Sequence, residues 1–224
     1  MAKTIDTGGA VEPALDPDLS GTERAGIYRW FCGLFAREMS VHAMEIYRSE
    51  EGRTLLYELG TIEALTPVVT AIRARLSDAR DGDLSSIALD FAGEFSRLFL
   101  GAAGPRSAPP YQSFYTGESG RLMQFPSAMM QDEMRALNVR IADSFAELPD
   151  HLAVQLAVMA ELAEAASAER QAIYLRQRLD WTGAFRSRCL EVGGEGFYPI
   201  LACALDDFVC ADVVSLTARA HIDD

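Results

Sequence analysis

No stretch of the 224-residue chain alternates apolar and polar residues with β-branched enrichment, so nothing reads as a strand and helices are left to carry the fold. No apolar run is long enough to span a bilayer: the most apolar late stretch, Phe197 to Leu205, is cut by Asp206 and Asp207. The opening residues, MAKTIDTGGAVEPALDPDLS, contain no apolar core of the kind a secretory signal needs. A soluble, cytoplasmic protein is the expectation. Basic residues are also few, with 20 Lys and Arg against 33 Asp and Glu and a net charge of −13. Such a surface repels nucleic-acid phosphates and attracts positively charged partners.

The usual marks of catalysis are missing too. Cys32, Cys189, Cys203 and Cys210 form no C-x-x-C pair and no close Cys/His spacing, which argues against structural zinc. Their apolar helical surroundings predict buried, reduced thiols, as in a reducing compartment. His42 and His221 are remote from each other and from His151. No nucleophile elbow surrounds Ser113, and the Gly101–Gly104 pair has no Lys-Ser/Thr after it, so neither a hydrolase triad nor a Walker loop is indicated. There is no internal repeat and no heptad run.

What is present is a succession of helical patterns. Residues 1–19, rich in Gly, Pro and Asp, are expected to form a flexible tail. Ser20-Gly21-Thr22-Glu23 fits a capping box, and Ile27, Tyr28, Phe31, Leu34 and Phe35 follow at helical spacing. Ser40 can cap a short helix. Arg53 to Leu59 is stopped by Gly60, and Thr66-Pro67 starts another helix with Thr as its cap. Asp81-Gly82-Asp83 reads as a turn. Further apolar stripes run through Phe91 to Leu98, Met129 to Leu137, Leu152 to Leu162, Ile173 to Leu175, Trp181 to Cys189 and Tyr198 to Val209, with Gly193, Gly194 and Gly196 as a break. The class is all-α, with roughly eight to ten helices in a single bundle-like domain over residues 20–224.

Two places stand out from this pattern. The stretch from Phe91 to Pro126 leaves a helix at Gly101 and passes through Pro105, Pro109 and Pro110 into Tyr111, Ser113 and Tyr115. A long irregular segment inside a compact domain is uncommon and usually functional. Its aromatic residues predict an ordered binding loop rather than a linker. The second place is Glu147-Leu148-Pro149-Asp150-His151, where Asp150 is an expected N-cap. The same Glu147, Asp150 and His151 form the best polar cluster and give the alternative reading, a helical metal-dependent hydrolase, although Gln155, at i+4 from His151, is a poor metal ligand. Met129, Met130, Met134 and Met159 suit either the core or an adaptable peptide-binding surface.

The two places together resemble the TorD/DmsD family of maturation chaperones for molybdenum-containing oxidoreductases. The resemblance rests on Phe95-x-x-Leu98-Phe99-x-Gly101, Pro109-Pro110-Tyr111-x-Ser113-x-Tyr115 and Gly120-x-Leu122-Met123, followed by Glu147-x-x-Asp150-His151-Leu152. Trp181 and Phe185 followed by Phe197-Tyr198 support it. Gln112 and Gln155 stand where the family often has Glu, and Arg178 where it often has His. The resemblance implies a non-catalytic protein with no cofactor of its own, either a monomer or a domain-swapped homodimer. Its partner would be the twin-arginine signal peptide of an apo-molybdoenzyme, held back from export until the cofactor is inserted. Glu147 and Asp150 would accept hydrogen bonds from the guanidinium groups, with His151 orienting Asp150 or touching the peptide. Pro109, Pro110, Tyr111, Ser113 and Tyr115 would wall an apolar groove.

Overall fold

In a computed structural model, the structure describes residues 19–78, 84–102, 104–117 and 125–221. The expected N-terminal tail, the Asp81–Asp83 turn and the Gly120-x-Leu122-Met123 motif therefore lie outside the described residues, apart from Leu19. Among those described are eleven α-helices and no strand: α1 (Gly21–Ala36), α2 (Val41–Arg48), α3 (Glu50–Leu59), α4 (Thr66–Asp78), α5 (Leu84–Phe99), α6 (Gln112–Thr116), α7 (Phe125–Ala136), α8 (Leu152–Ala165), α9 (Ala168–Arg178), α10 (Thr182–Gly193) and α11 (Phe197–Ala220). No single described helix is long and apolar enough to cross a membrane.

The helix starts follow from short polar side chains. Ser20 accepts from the Glu23 amide at 3.2 Å while the Glu23 carboxylate accepts from the Ser20 amide at 2.8 Å, the reciprocal capping box. Ser40 caps α2 as expected, and Ser167 caps α9. Ser49 ends α2 and caps α3 through the Gly52 amide, so α3 begins at Glu50, earlier than the apolar pattern at Arg53 suggests. Thr66 is already helical, at φ −51° and ψ −45°, and its hydroxyl donates to the Gly60 and Ile62 carbonyls. It is the first residue of α4 and not its cap.

The largest interface is α1 against α8, and α11 packs between α4, α9 and α10. Both α8 and α11 bury residues on all sides, as central helices must. Inside, Arg24 of α1 donates to Asp212 of α11 at 2.7 and 2.9 Å, and the Tyr28 hydroxyl donates to the same carboxylate at 2.7 Å. Phe35, Phe95, Phe99, Phe185 and Tyr198 form an aromatic cluster with ring centroids 5.2–5.9 Å apart. The start of α11 is capped from afar: the buried Glu94 carboxylate accepts from the Tyr198 amide at 3.0 Å. Gly196 gives this carboxylate room, because a Cβ there would sit 2.2 Å from the Glu94 oxygen and force it to shift. Of the thiols, Cys189 is buried as expected, but Cys32 and Cys203 are half-buried and Cys210 is exposed; all four are free. Met130 and Met159 are fully enclosed and Met134 nearly so, which makes them core residues.

Candidate functional site

The proline-rich loop is stitched to the start of α8 by an isolated antiparallel bridge between Tyr111 and His151. The Gln112 amide donates to the Asp150 carbonyl at 3.1 Å, and the Leu152 amide to the Pro110 carbonyl at 2.8 Å. Gly101 lets the chain turn out of α5 into this loop, at φ +74°. The Arg188 guanidinium then holds the loop down through the Pro105 and Ser107 carbonyls. The loop is less irregular than its prolines suggest, since Gln112–Thr116 forms the one-and-a-half-turn helix α6.

Asp150 is fully buried at the meeting point of three helices. One carboxylate oxygen accepts from the Ser113 amide in the first turn of α6 at 3.0 Å, and the other accepts from the Ser127 hydroxyl in the first turn of α7. It is not the cap of α8. His151 takes that place, its Nδ1 accepting from the Ala153 amide at 3.1 Å, because the Asp150 side chain is turned toward α6 and α7. Accepting at Nδ1 leaves the proton of a neutral imidazole on Nε2. Burial holds the His151 pKa down to about 4, against the opposing charges of Glu147 and Asp150. The ring lies edge-on between Tyr111, at 4.9 Å, and Phe145, at 5.5 Å.

Glu147 is half-buried and accepts from the Tyr111 hydroxyl. Burial first, and then this carboxylate, push the Tyr111 hydroxyl pKa well above its ordinary value. The structure thus gathers Pro110, Tyr111, Ser113, Glu147, Asp150 and His151 into one cluster. Pro109 adjoins it, its carbonyl accepting from the Tyr111 amide at 2.9 Å. Tyr115 faces away, stacked on Trp181 at 5.2 Å and edge-on to Phe185. Both rings are half-buried, Tyr111 edge-on to His151 and Tyr115 against Trp181 and Phe185.

The apolar opening lies on the other side of the motif. A groove of about 390 Å³ runs between α1, the segment 139–145 and the first turns of α8, with Ile141, Phe145, Val154 and Val158 on its walls. Arg37, Arg140 and Glu161 also line it. Phe145 belongs to both features, because the ring that lines the groove also touches His151.

As a metal centre the arrangement fails. Asp150 and His151 spend their acceptor atoms on internal donors, and among the described residues no group of three or more His, Cys, Asp or Glu side chains could hold a metal ion. Ser113 has a buried hydroxyl without a hydrogen-bond partner, and the carboxylate beside it, Asp150, accepts instead from the Ser113 amide and the Ser127 hydroxyl.

The family model described as "Nitrate reductase delta subunit" matches residues 62–192. The chaperone protein TorD of Vibrio parahaemolyticus is 33% identical over 202 residues, spanning 85% of this chain and 93% of the relative. The TorD proteins of Aliivibrio salmonicida (30% over 209 residues, 88% and 96%) and Vibrio cholerae (33% over 196 residues, 80% and 86%) match similarly. The chain belongs to the TorD/DmsD family of molybdoenzyme maturation chaperones. Like its TorD relatives it is a chaperone and not an enzyme.

Within this TorD-like fold, the two Gln residues that depart from the family pattern prove to be partners. Gln155 Nε2 donates to Gln112 Oε1 at 2.8 Å, and the Trp181 indole donates to Gln155 Oε1 at 3.0 Å. Each member of this buried chain of neutral groups satisfies the next. Ser127 and Trp181 were not among the expected site residues. Ser127 follows Pro126 at the head of α7, and nothing local ties it to a carboxylate 23 residues away.

Proposed function

We propose that this TorD-like chaperone binds the twin-arginine signal peptide of an apo-molybdoenzyme and delays its export until the cofactor is inserted. The observation that carries the reading is the junction at Phe145. One side of it is an apolar groove wide enough for hydrophobic side chains, and the other is a cluster holding a half-buried carboxylate, Glu147. A signal peptide presents the matching pair of features, an apolar segment able to form a helix beside two guanidinium groups. The groove takes the apolar segment through van der Waals contact and displaced water. Glu147 accepts paired hydrogen bonds from a guanidinium, which a carboxylate does better than any neutral group. Asp150 serves as a positioning residue, since it has no exposed surface. The groove-lining Arg37 and Arg140 disfavour a guanidinium there and so favour the orientation that brings the arginines to Glu147. The net charge of −13 speeds the encounter with a cationic peptide.

Capture from native cytoplasm tests this reading. The tagged chaperone is expected to retain a molybdoenzyme precursor with its signal peptide intact and no cofactor loaded. Recovery of only mature, cofactor-loaded enzyme would contradict it.

A further inference from the structure

Arg178, the last residue of α9, is 7% exposed. Its Nε is buried without a hydrogen-bond partner, and among the described residues no carboxylate is paired with it. The other deeply buried arginine, Arg24, shows the usual resolution, a two-pronged ion pair with Asp212. Two neutral polar groups stand near the end of α9. The Tyr174 hydroxyl, one turn back, donates to the Gln155 carbonyl at 2.9 Å, and the Gln112 side-chain Nε2 donates to the Gln177 carbonyl at 3.1 Å. Glu133 on α7 is already held by Arg170. The guanidinium is not consumed as a helix cap either. At the end of α9, the Leu175 carbonyl accepts from the Leu179 amide, the Gln177 carbonyl from Gln112 and the Arg178 carbonyl from the Trp181 indole at 2.8 Å.

A guanidinium Nε buried without an acceptor is unfavourable unless an anion or water completes it. A planar oxyanion fits its fork of donors, and the nearby Glu133 carboxylate is balanced by its own partner, Arg170. We propose that Arg178 is a recessed receptor for a carboxylate, from a bound polypeptide or a free small acid, beside the contact of α6 with the end of α9. This site would take a negative group, whereas the signal-peptide site takes positive ones, and it stands whether or not that reading holds.

Nitrogen-15 NMR of the arginine Nε–H groups in the whole protein tests it. Arg178→Lys assigns the resonance by its disappearance, with Arg178→Gln as the substitute should the Lys variant not fold. The ion-paired Arg24 signal is the internal reference. Acetate is titrated against chloride at equal ionic strength, and the capped peptide Gly-Glu-Gly against Gly-Gln-Gly. The expected result is a saturable shift of the Arg178 signal with acetate or the Glu peptide, absent with chloride and the Gln peptide. Saturation by the Glu peptide at a concentration about tenfold lower than acetate, the gain of one added charge-assisted contact, assigns the carboxylate to a polypeptide; equal or tighter response to acetate assigns it to a free acid. No shift with either carboxylate, or the same shift with chloride, overturns the proposal.

Discussion

Removing the Asp150 carboxylate would leave the Ser113 amide and the Ser127 hydroxyl buried without an acceptor. Asp150→Ala is therefore expected to cost about 2–4 kcal/mol of stability in denaturant titration, since each is a hydrogen bond to a charged group. Glu147→Gln should behave differently. The Tyr111 hydroxyl keeps an amide oxygen to donate to, so stability should change by less than about 1 kcal/mol while peptide affinity falls by about tenfold or more. His151 predicts a pH signature. Its folded pKa of about 4 lies below the ordinary value near 6.5, so the unfolded chain takes the proton first as pH falls. This contribution is fully present above about pH 6.5 and is lost progressively down to about pH 4, a drop on the order of 3 kcal/mol. Asn at this position can still cap α8, so His151→Asn should fold at neutral pH with a flatter stability profile between those limits. Chemical denaturation across that range reads the difference. At this scale the sequence showed which residues matter more clearly than what they touch. Asp150 reads as a cap from its place before an apolar run, yet its partners come from two other helices. No local pattern reports a contact across 23 or 37 residues.

The helices themselves were largely legible, because their starts depend on neighbours in sequence. Ser20, Ser40 and Ser167 cap where short polar side chains precede apolar runs. The misplaced start of α3 and the hidden helix α6 have a common cause. Ser49 and Tyr111 begin helices whose first turns have little apolar periodicity, so spacing alone gives no signal there. The apolar groove beside Phe145 was likewise not legible, because its walls come from α1, the segment 139–145 and α8, which are far apart in sequence. The pairing of α1 with α11 was not readable at all, because 188 residues separate Arg24 from Asp212. That contact makes a strong prediction. Asp212→Ala leaves a guanidinium and the Tyr28 hydroxyl buried without an acceptor, and should cost about 3–5 kcal/mol in equilibrium unfolding.

Over the whole molecule, the excess of acidic residues and the family membership bear on the same point: this is a chaperone whose proposed partner is cationic. Encounter driven by net charge is screened by salt, so peptide affinity should fall as ionic strength rises while the apolar contribution persists. General attraction of this kind does not distinguish one basic peptide from another. Discrimination has to come from a carboxylate that accepts two hydrogen bonds from one planar group. Isothermal titration of the protein with matched signal peptides carrying Arg-Arg or Lys-Lys at the paired position tests that claim most directly. The account predicts that the Arg-Arg peptide binds more tightly by about tenfold or more, and that Glu147→Gln removes most of the difference. Equal affinity for the two peptides at moderate salt would contradict it.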